Sequence, residues 1–184
     1  MNDLKDIIKN RRSIRKFQNK EVSTEIINDL LYSAKWSPSW GNSQCWELII
    51  IDDEKQKYNL SQTLTKKNPA SLAARNAPIV IAICAQKKKS GYYKGEAITK
   101  FNEWFMYDLG LVTQNICLTA HCLGLGTVII GAFNHNKAKK ILKLPANYEI
   151  VSLLPVGYPA HSPSPTKRRK ISTFVHKNHF NFPK

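Results

Sequence analysis

Acidic residues are scarce in this chain. Thirteen Asp and Glu stand against 28 Lys and Arg, a formal net charge of +15 over 184 residues. Such an excess attracts polyanions, anionic cofactors and anionic surfaces without choosing among them. The basic residues are spread over 11–20, 87–89 and 167–170, so most of them read as a solvated surface. Cysteine is also sparse, and Cys45, Cys84, Cys117 and Cys122 form no C-x-x-C pair. That gives no zinc-ligand spacing and no disulfide framework. The thiols are expected to pack as small apolar side chains, with no metal. His176 and His179 lie in a tail without a periodic core face and read as non-ligating. No apolar run approaches the ~18 residues of a membrane span, and Met1–Arg15 is charged with no apolar stretch before a cleavage site. A cytoplasmic protein with no membrane contact is expected. A Gly-x-Gly-x-x-Gly fingerprint is missing too: Gly124 and Gly126 are followed by Thr127, Val128 and Ile129. That excludes a Rossmann nicotinamide site. No carboxylate dyad or Ser-His-Asp constellation stands in a motif.

What is present fits one domain, 1–184, with an extended arm from about 158 to 184 carried by Pro159, Pro163 and Pro165. Leu4, Ile7 and Ile8 mark a first short helix ending near Arg11. Ser23 is placed to cap a second helix, with Val22 and Ile27 as a hydrophobic staple and Ile26, Leu30, Leu31 and Ala34 on its buried face. Trp46–Ile51 reads as a strand buried on both faces. Asp53 caps a helix to about Leu64, and Ser71–Asn76 forms another. Ile79–Ala85 is a second apolar strand, followed by a mobile lysine-rich loop over 86–95. Apolar residues from Ile98 through Phe101, Phe105, Leu109, Val112 and Ile116 to Ala120 predict one long helix over 96–123, about 40 Å in length. Its apolar residues on several faces predict burial on most sides, partly by a neighbouring subunit. Thr127–Ile130, Asn136–Leu142 and Glu149–Val156 complete the set as strand, helix and strand. The fold class is α+β, a sandwich with a sheet of four or more strands.

Two segments carry chemistry. Arg11-Arg12-Ser13-Ile14-Arg15 follows the first helix directly, and arginines with a hydroxyl in so short a loop suit a phosphate group. Ser37-Pro38-Ser39-Trp40-Gly41-Asn42-Ser43-Gln44 combines small residues that allow close backbone approach with amides that can bond a heterocycle edge. With Asp108-Leu109-Gly110, Gln114-Asn115, 120–127, Ile130-Gly131, 154–159 and Arg168-Arg169, they follow one another in an order that resembles the nitroreductase family of flavoproteins, over roughly residues 4–176.

The resemblance implies a three-layer nitroreductase-like sandwich, with a mixed, mainly antiparallel sheet flanked by helices and a long central helix. It implies FMN as cofactor and NAD(P)H as transient reductant. Arg11, Arg12 and Ser13 would hold the phosphate and ribityl chain, and Arg15 would lie at the pyrimidine edge and tune the ring. Arg168 and Arg169 would close from the arm, and Ile130 and Gly131 would offer backbone groups near N5. Pro38, Ser39 and Trp40 would come from the partner of a homodimer, with Asn42 and Gln44 supporting the ring. The acceptor would be a nitroaromatic, a quinone or a similar flat molecule, reduced by ping-pong hydride transfer through N5. Dehalogenating and flavin-degrading relatives share these motifs. Cys45 stands where the family usually has proline, and the segment between Ile81 and Trp104 is short. A basic nucleic-acid-binding module is the alternative from another class, but no RNP, helix-turn-helix or zinc-finger pattern accompanies the charge.

Overall fold

Alternation along one strand organises the protein. The computed structural model describes residues 3–181, so the ends of the expected domain and arm (1–2 and 182–184) lie outside the described residues. Strand β1 is Trp46–Ile51, β2 Ile79–Gln86, β5 Gly126–Thr127 and β6 Tyr148–Gly157, in the sheet order β1-β2-β6-β5. In β2, Ile79, Ile81, Ile83 and Ala85 face one core, and Val80, Ala82 and Cys84 face a second. Side chains on a strand alternate between faces, so a run that is apolar throughout requires cover on both sides. The first cover comes from helices α2 (Thr24–Lys35), through Leu30 and Ala34, and α5 (Phe105–Cys122), through Leu109, Val112, Ile116 and Ala120. The second comes from α3 (Glu54–Ser61), α4 (Ser71–Asn76) and α6 (His135–Ile141), through Leu60, Ala73 and Ala138. The result is a three-layer sandwich. All pairs within this sheet are antiparallel, and a parallel bridge from Ser13 to Thr127 adds the mixed element.

Local signals set most boundaries. Helix α1 (Leu4–Asn10) begins at an Asp3 cap. Ser23 and Asp53 accept the N–H of Ile26 and Gln56, which satisfies orphan donors at the starts of α2 and α3. Helix α3 ends at Ser61, three residues before the expected limit.

Four expectations are corrected. The long helix begins at Phe105, not 96; at ~1.5 Å per residue its 18 residues span about 27 Å. The residues ahead of it form a hairpin, β3 (Tyr92–Tyr93) with β4 (Glu96–Ala97), and Ile98 and Phe101 are exposed. Helical spacing there was coincidental, and Gly91 and Gly95, both at positive φ, turn the chain instead. The lysine-rich loop is tied down, since Ser90 is fully buried. Strand β1 lies at the sheet's edge, and both of its faces are covered as expected: Trp46, Leu48 and Ile50 pack on the first core and Ile49 and Ile51 on the second, although only Ile51 is fully buried. The 127–130 strand reduces to Gly126–Thr127 plus a bridge from Ile130 to Leu153. Cys45, Cys84 and Cys117 are buried free thiols, as expected, but Cys122 is exposed. Among the described residues, no helix is long and apolar enough to cross a membrane.

Candidate functional site

The arginine loop is held against the sheet's edge. Ile14 donates its N–H to the Thr127 carbonyl at 2.9 Å, and its side chain packs where a Cβ on Gly126 would stand, 2.5 Å from Cγ1. Only glycine at 126 allows that approach. Arg11 and Arg12 thereby line a cavity of about 340 Å³ with Cys117 and His121 of α5, Thr127, and His161 of the arm. Arg12 also donates to the carbonyls of Lys9 and Arg11, the latter at 2.9 Å. Partial burial and the two guanidiniums hold His121 below its ordinary value of 6.5. Burial raises the Cys117 thiol, against opposing effects of its Thr127 hydrogen bond and Arg11.

From Thr127 the chain runs along a second, apolar groove of about 610 Å³, walled by Phe105, Met106, Leu109, Ile129, Gly131 and Val151. A register shift between β2 and β6 at Ile83/Cys84 leaves Val151 as an extra residue beside this groove. Bulges of this kind re-aim side chains next to sites. The N–H and C=O of Ile130 are both taken by Leu153, at 2.9 Å each. Of the expected pair, Gly131 therefore keeps a main-chain N–H with no partner among the described residues, and nothing lies within 4 Å of where its Cβ would be. His135 approaches the Gly131 carbonyl through Nε2 at 3.3 Å and that of Ile150 through Nδ1 at 2.9 Å.

The loop 37–45 is organised by a residue to which the sequence reading gave no role. Asp108, in the first turn of α5, is fully buried. Its carboxyl oxygens accept the Trp40 N–H at 2.9 Å, the Ser90 hydroxyl at 2.6 Å, the Ser43 hydroxyl at 3.4 Å and the Cys45 thiol at 3.5 Å. Four donors satisfy a group that would otherwise be costly to bury. Burial and Asp108 push the Cys45 thiol up to about 12. A carboxylate on the buried stripe of an apolar helix was the signal available for it. Asn115, two turns further along the same face of α5, donates to the Ser37 hydroxyl at 2.8 Å. Ser39 accepts the Gln44 N–H at 2.9 Å, and the Gln44 and Asn42 amides bond each other at 3.2 Å. Gly41, Asn42 and Gln44 all take positive φ, a strained choice for glutamine that the surrounding bonds maintain. Pro38, Asn42 and Gln44 are exposed, while Ser39 and Trp40 are half-buried.

Within one chain these parts do not all meet. Asp108 and His121 lie thirteen residues apart on α5, roughly 20 Å at ~1.5 Å per residue, so the loop and the arginine pocket occupy opposite ends of that helix. Arg15 is exposed. Arg168 and Arg169 bond within the arm, to Thr166 and Thr173, and do not line the pocket.

Comparison with known proteins identifies the family. The model of the nitroreductase family matches residues 8–158. An Archaeoglobus fulgidus protein provisionally named NADH dehydrogenase/NAD(P)H nitroreductase is 31% identical over 163 residues, covering 86% of this chain and 87% of its own. The crystal structure of a nitroreductase family protein from Clostridium novyi NT is 32% identical, with a TM-score of 0.78 and 88% of each chain covered. An FMN-dependent nitroreductase from Clostridium difficile R20291 is 29% identical with a TM-score of 0.82, covering 96% of this chain and 100% of that one.

Proposed function

Because the chain belongs to the nitroreductase family, we propose that it is an FMN-dependent oxidoreductase that draws on NAD(P)H and reduces flat acceptors such as nitroaromatics or quinones. The observation that carries this reading is one short stretch of chain, from Thr127 to Gly131, that borders two cavities. The Ile14–Thr127 bond joins a cationic pocket to a stretch that runs on to Gly131 in an apolar groove. A phosphate on a flat ring system requires that pairing of charge and apolar wall. Arg11 and Arg12 supply charge for a single terminal phosphate, Ser13 adds a hydroxyl, and Arg168 and Arg169 lie on an exposed arm that can close over it.

When bound, FMN supplies hydride transfer through N5 in two half-reactions. The protein's part is binding, orientation and electrostatics. Gly131 offers an open main-chain N–H beside the groove. Arg15 brings a permanent cation to the pyrimidine edge, where negative charge collects on reduction. Phe105, Met106 and Leu109 keep water from one wall of the groove. The loop carrying Pro38, Ser39, Trp40, Asn42 and Gln44 lies at the far end of α5 from its own arginine pocket. We assign it to the site of a second copy, in a homodimer whose contact would cover the exposed Trp36 and Tyr107. The compartment is the cytoplasm, where NAD(P)H is regenerated.

Heat release of the chromophore from the purified protein, followed by chromatography, tests the cofactor. FMN is the expected product, with NAD(P)H bleaching the protein's yellow colour and a quinone restoring it. FAD, or no flavin after reconstitution, overturns the reading.

A further inference from the structure

The arginine pocket contains a titratable group for which the phosphate reading has no use. His121 is half-buried in the last turn of α5, and the cavity it lines is bounded by Arg11 and Arg12 from the loop, Cys117 from its own helix and His161 from the arm. Two guanidiniums beside an imidazole oppose a third positive charge, and partial burial removes water that would support it. The carbonyl end of α5 favours a cation at the same place. Burial first, and the two guanidiniums with it, thus hold the imidazole below its ordinary value, and an arriving dianion cancels the guanidiniums' share.

We propose that His121 takes up a proton from solvent as a phosphate monoester enters this pocket, so that FMN binding is proton-coupled through a residue outside the arginine motif. The proposal rests on the FMN reading. It makes His121 a binding residue whose donor strength appears only when the anion is present. Neutral, it leaves the empty pocket with less self-repulsion; protonated, it adds a charge-assisted hydrogen bond to the phosphate. The sign follows from linkage. A group protonated in the complex and neutral in the free protein makes binding tighten as pH falls toward the free protein's value.

FMN's own phosphate ionises with a second pKa of about 6, so near pH 7.5 it is already dianionic and proton exchange reports the protein. Calorimetric titration of the apoprotein in buffers of different ionisation enthalpy measures that exchange directly. Net proton uptake is expected with FMN and none with riboflavin, which has the same ring and no phosphate. His121→Asn should abolish the uptake and weaken FMN several-fold with little change for riboflavin, while His161→Asn should retain it. Zero uptake with FMN in the unsubstituted protein overturns the proposal without needing any variant to fold. Equal uptake with riboflavin, or uptake undiminished in a folded His121→Asn protein, also overturns it. Tight FMN binding without uptake leaves the flavoprotein reading intact and removes only this inference; absence of FMN binding removes both.

Discussion

Asp108 shows how one side chain can organise a site it need never touch. It joins the 37–45 loop to the β3–β4 hairpin through Trp40, Ser43, Cys45 and Ser90. Asp108→Ala leaves at least two buried donors without an acceptor, at ~1–3 kcal/mol each. A loss on the order of 3–5 kcal/mol is expected, read as a lower urea midpoint. The thiols give a second residue-scale test. Burial raises Cys45 and Cys84 to about 12, from a starting value of 9.0. With an aromatic disulfide reagent near pH 8, exposed Cys122 should react rapidly, and all four thiols only in denaturant. Because the folded values lie above the unfolded one, the thiols' contribution to stability is complete below pH 9 and is lost as pH rises toward about 12. The urea midpoint should fall in that window. Arginines in one motif should also separate by role. Arg15→Ala should lower the bound flavin's two-electron potential by tens of millivolts, since ~1–3 kcal/mol is the scale of a bond to a charged group and ~30 mV corresponds to ~1.4 kcal/mol. Arg11→Ala should mainly weaken flavin retention. Potentiometry and flavin titration of both variants reveal whether these roles are reversed.

At the scale of elements, the site depends on how closely β5 and the arginine loop approach. A Cβ at Gly126 would stand 2.5 to 2.9 Å from three side-chain atoms of Ile14. Gly126→Ala must push the loop away from Thr127, and overpacking of this kind costs ~1–3 kcal/mol. The variant should fold with a lower thermal midpoint and lose FMN more readily than riboflavin, because the displaced residues are those proposed to face the phosphate. Equal loss of both flavins would show that the disturbance reaches the groove instead. The other element of consequence is the hairpin ahead of α5. Lys89 donates from Nζ to the Gln44 carbonyl at 3.2 Å, and Glu103 accepts the Lys88 N–H at 3.0 Å. These bonds make a lysine-rich segment part of the loop's support.

For the whole molecule, exposed apolar surface argues for a second copy. Tyr32 and Trp36 on α2 are 61% and 67% exposed, and Met106 and Tyr107 on α5 are 60% and 62% exposed. A stable interface buries roughly 1,200–2,000 Å², and isologous pairing about a two-fold axis would bury such a face in both copies. Light scattering should give roughly twice the 21.0 kDa of one chain. Trp36→Asp, if it yields monomers, should lose flavin with them. A stable flavin-loaded monomer would overturn the shared site.

The sequence by itself determined the elements whose causes are local. Ser23 and Asp53 started α2 and α3 because a cap needs only its own next three residues, and the apolar runs of β2 and β6 required a buried sheet wherever their neighbours came from. Arg11–Arg15 and Ser37–Gln44 were legible as candidate sites because their chemistry lies in contiguous residues. What only the tertiary structure decided depends on distant partners. Helical spacing at 96–104 could not show that Ser90 would be pulled to Asp108 and the chain folded into a hairpin. Periodicity could not tell edge strand β1 from a central one, because edge position is a property of the sheet and not of the strand. Nor could it reveal His121 facing Arg11 and Arg12, since long-range packing alone brings residues 110 positions apart around one pocket.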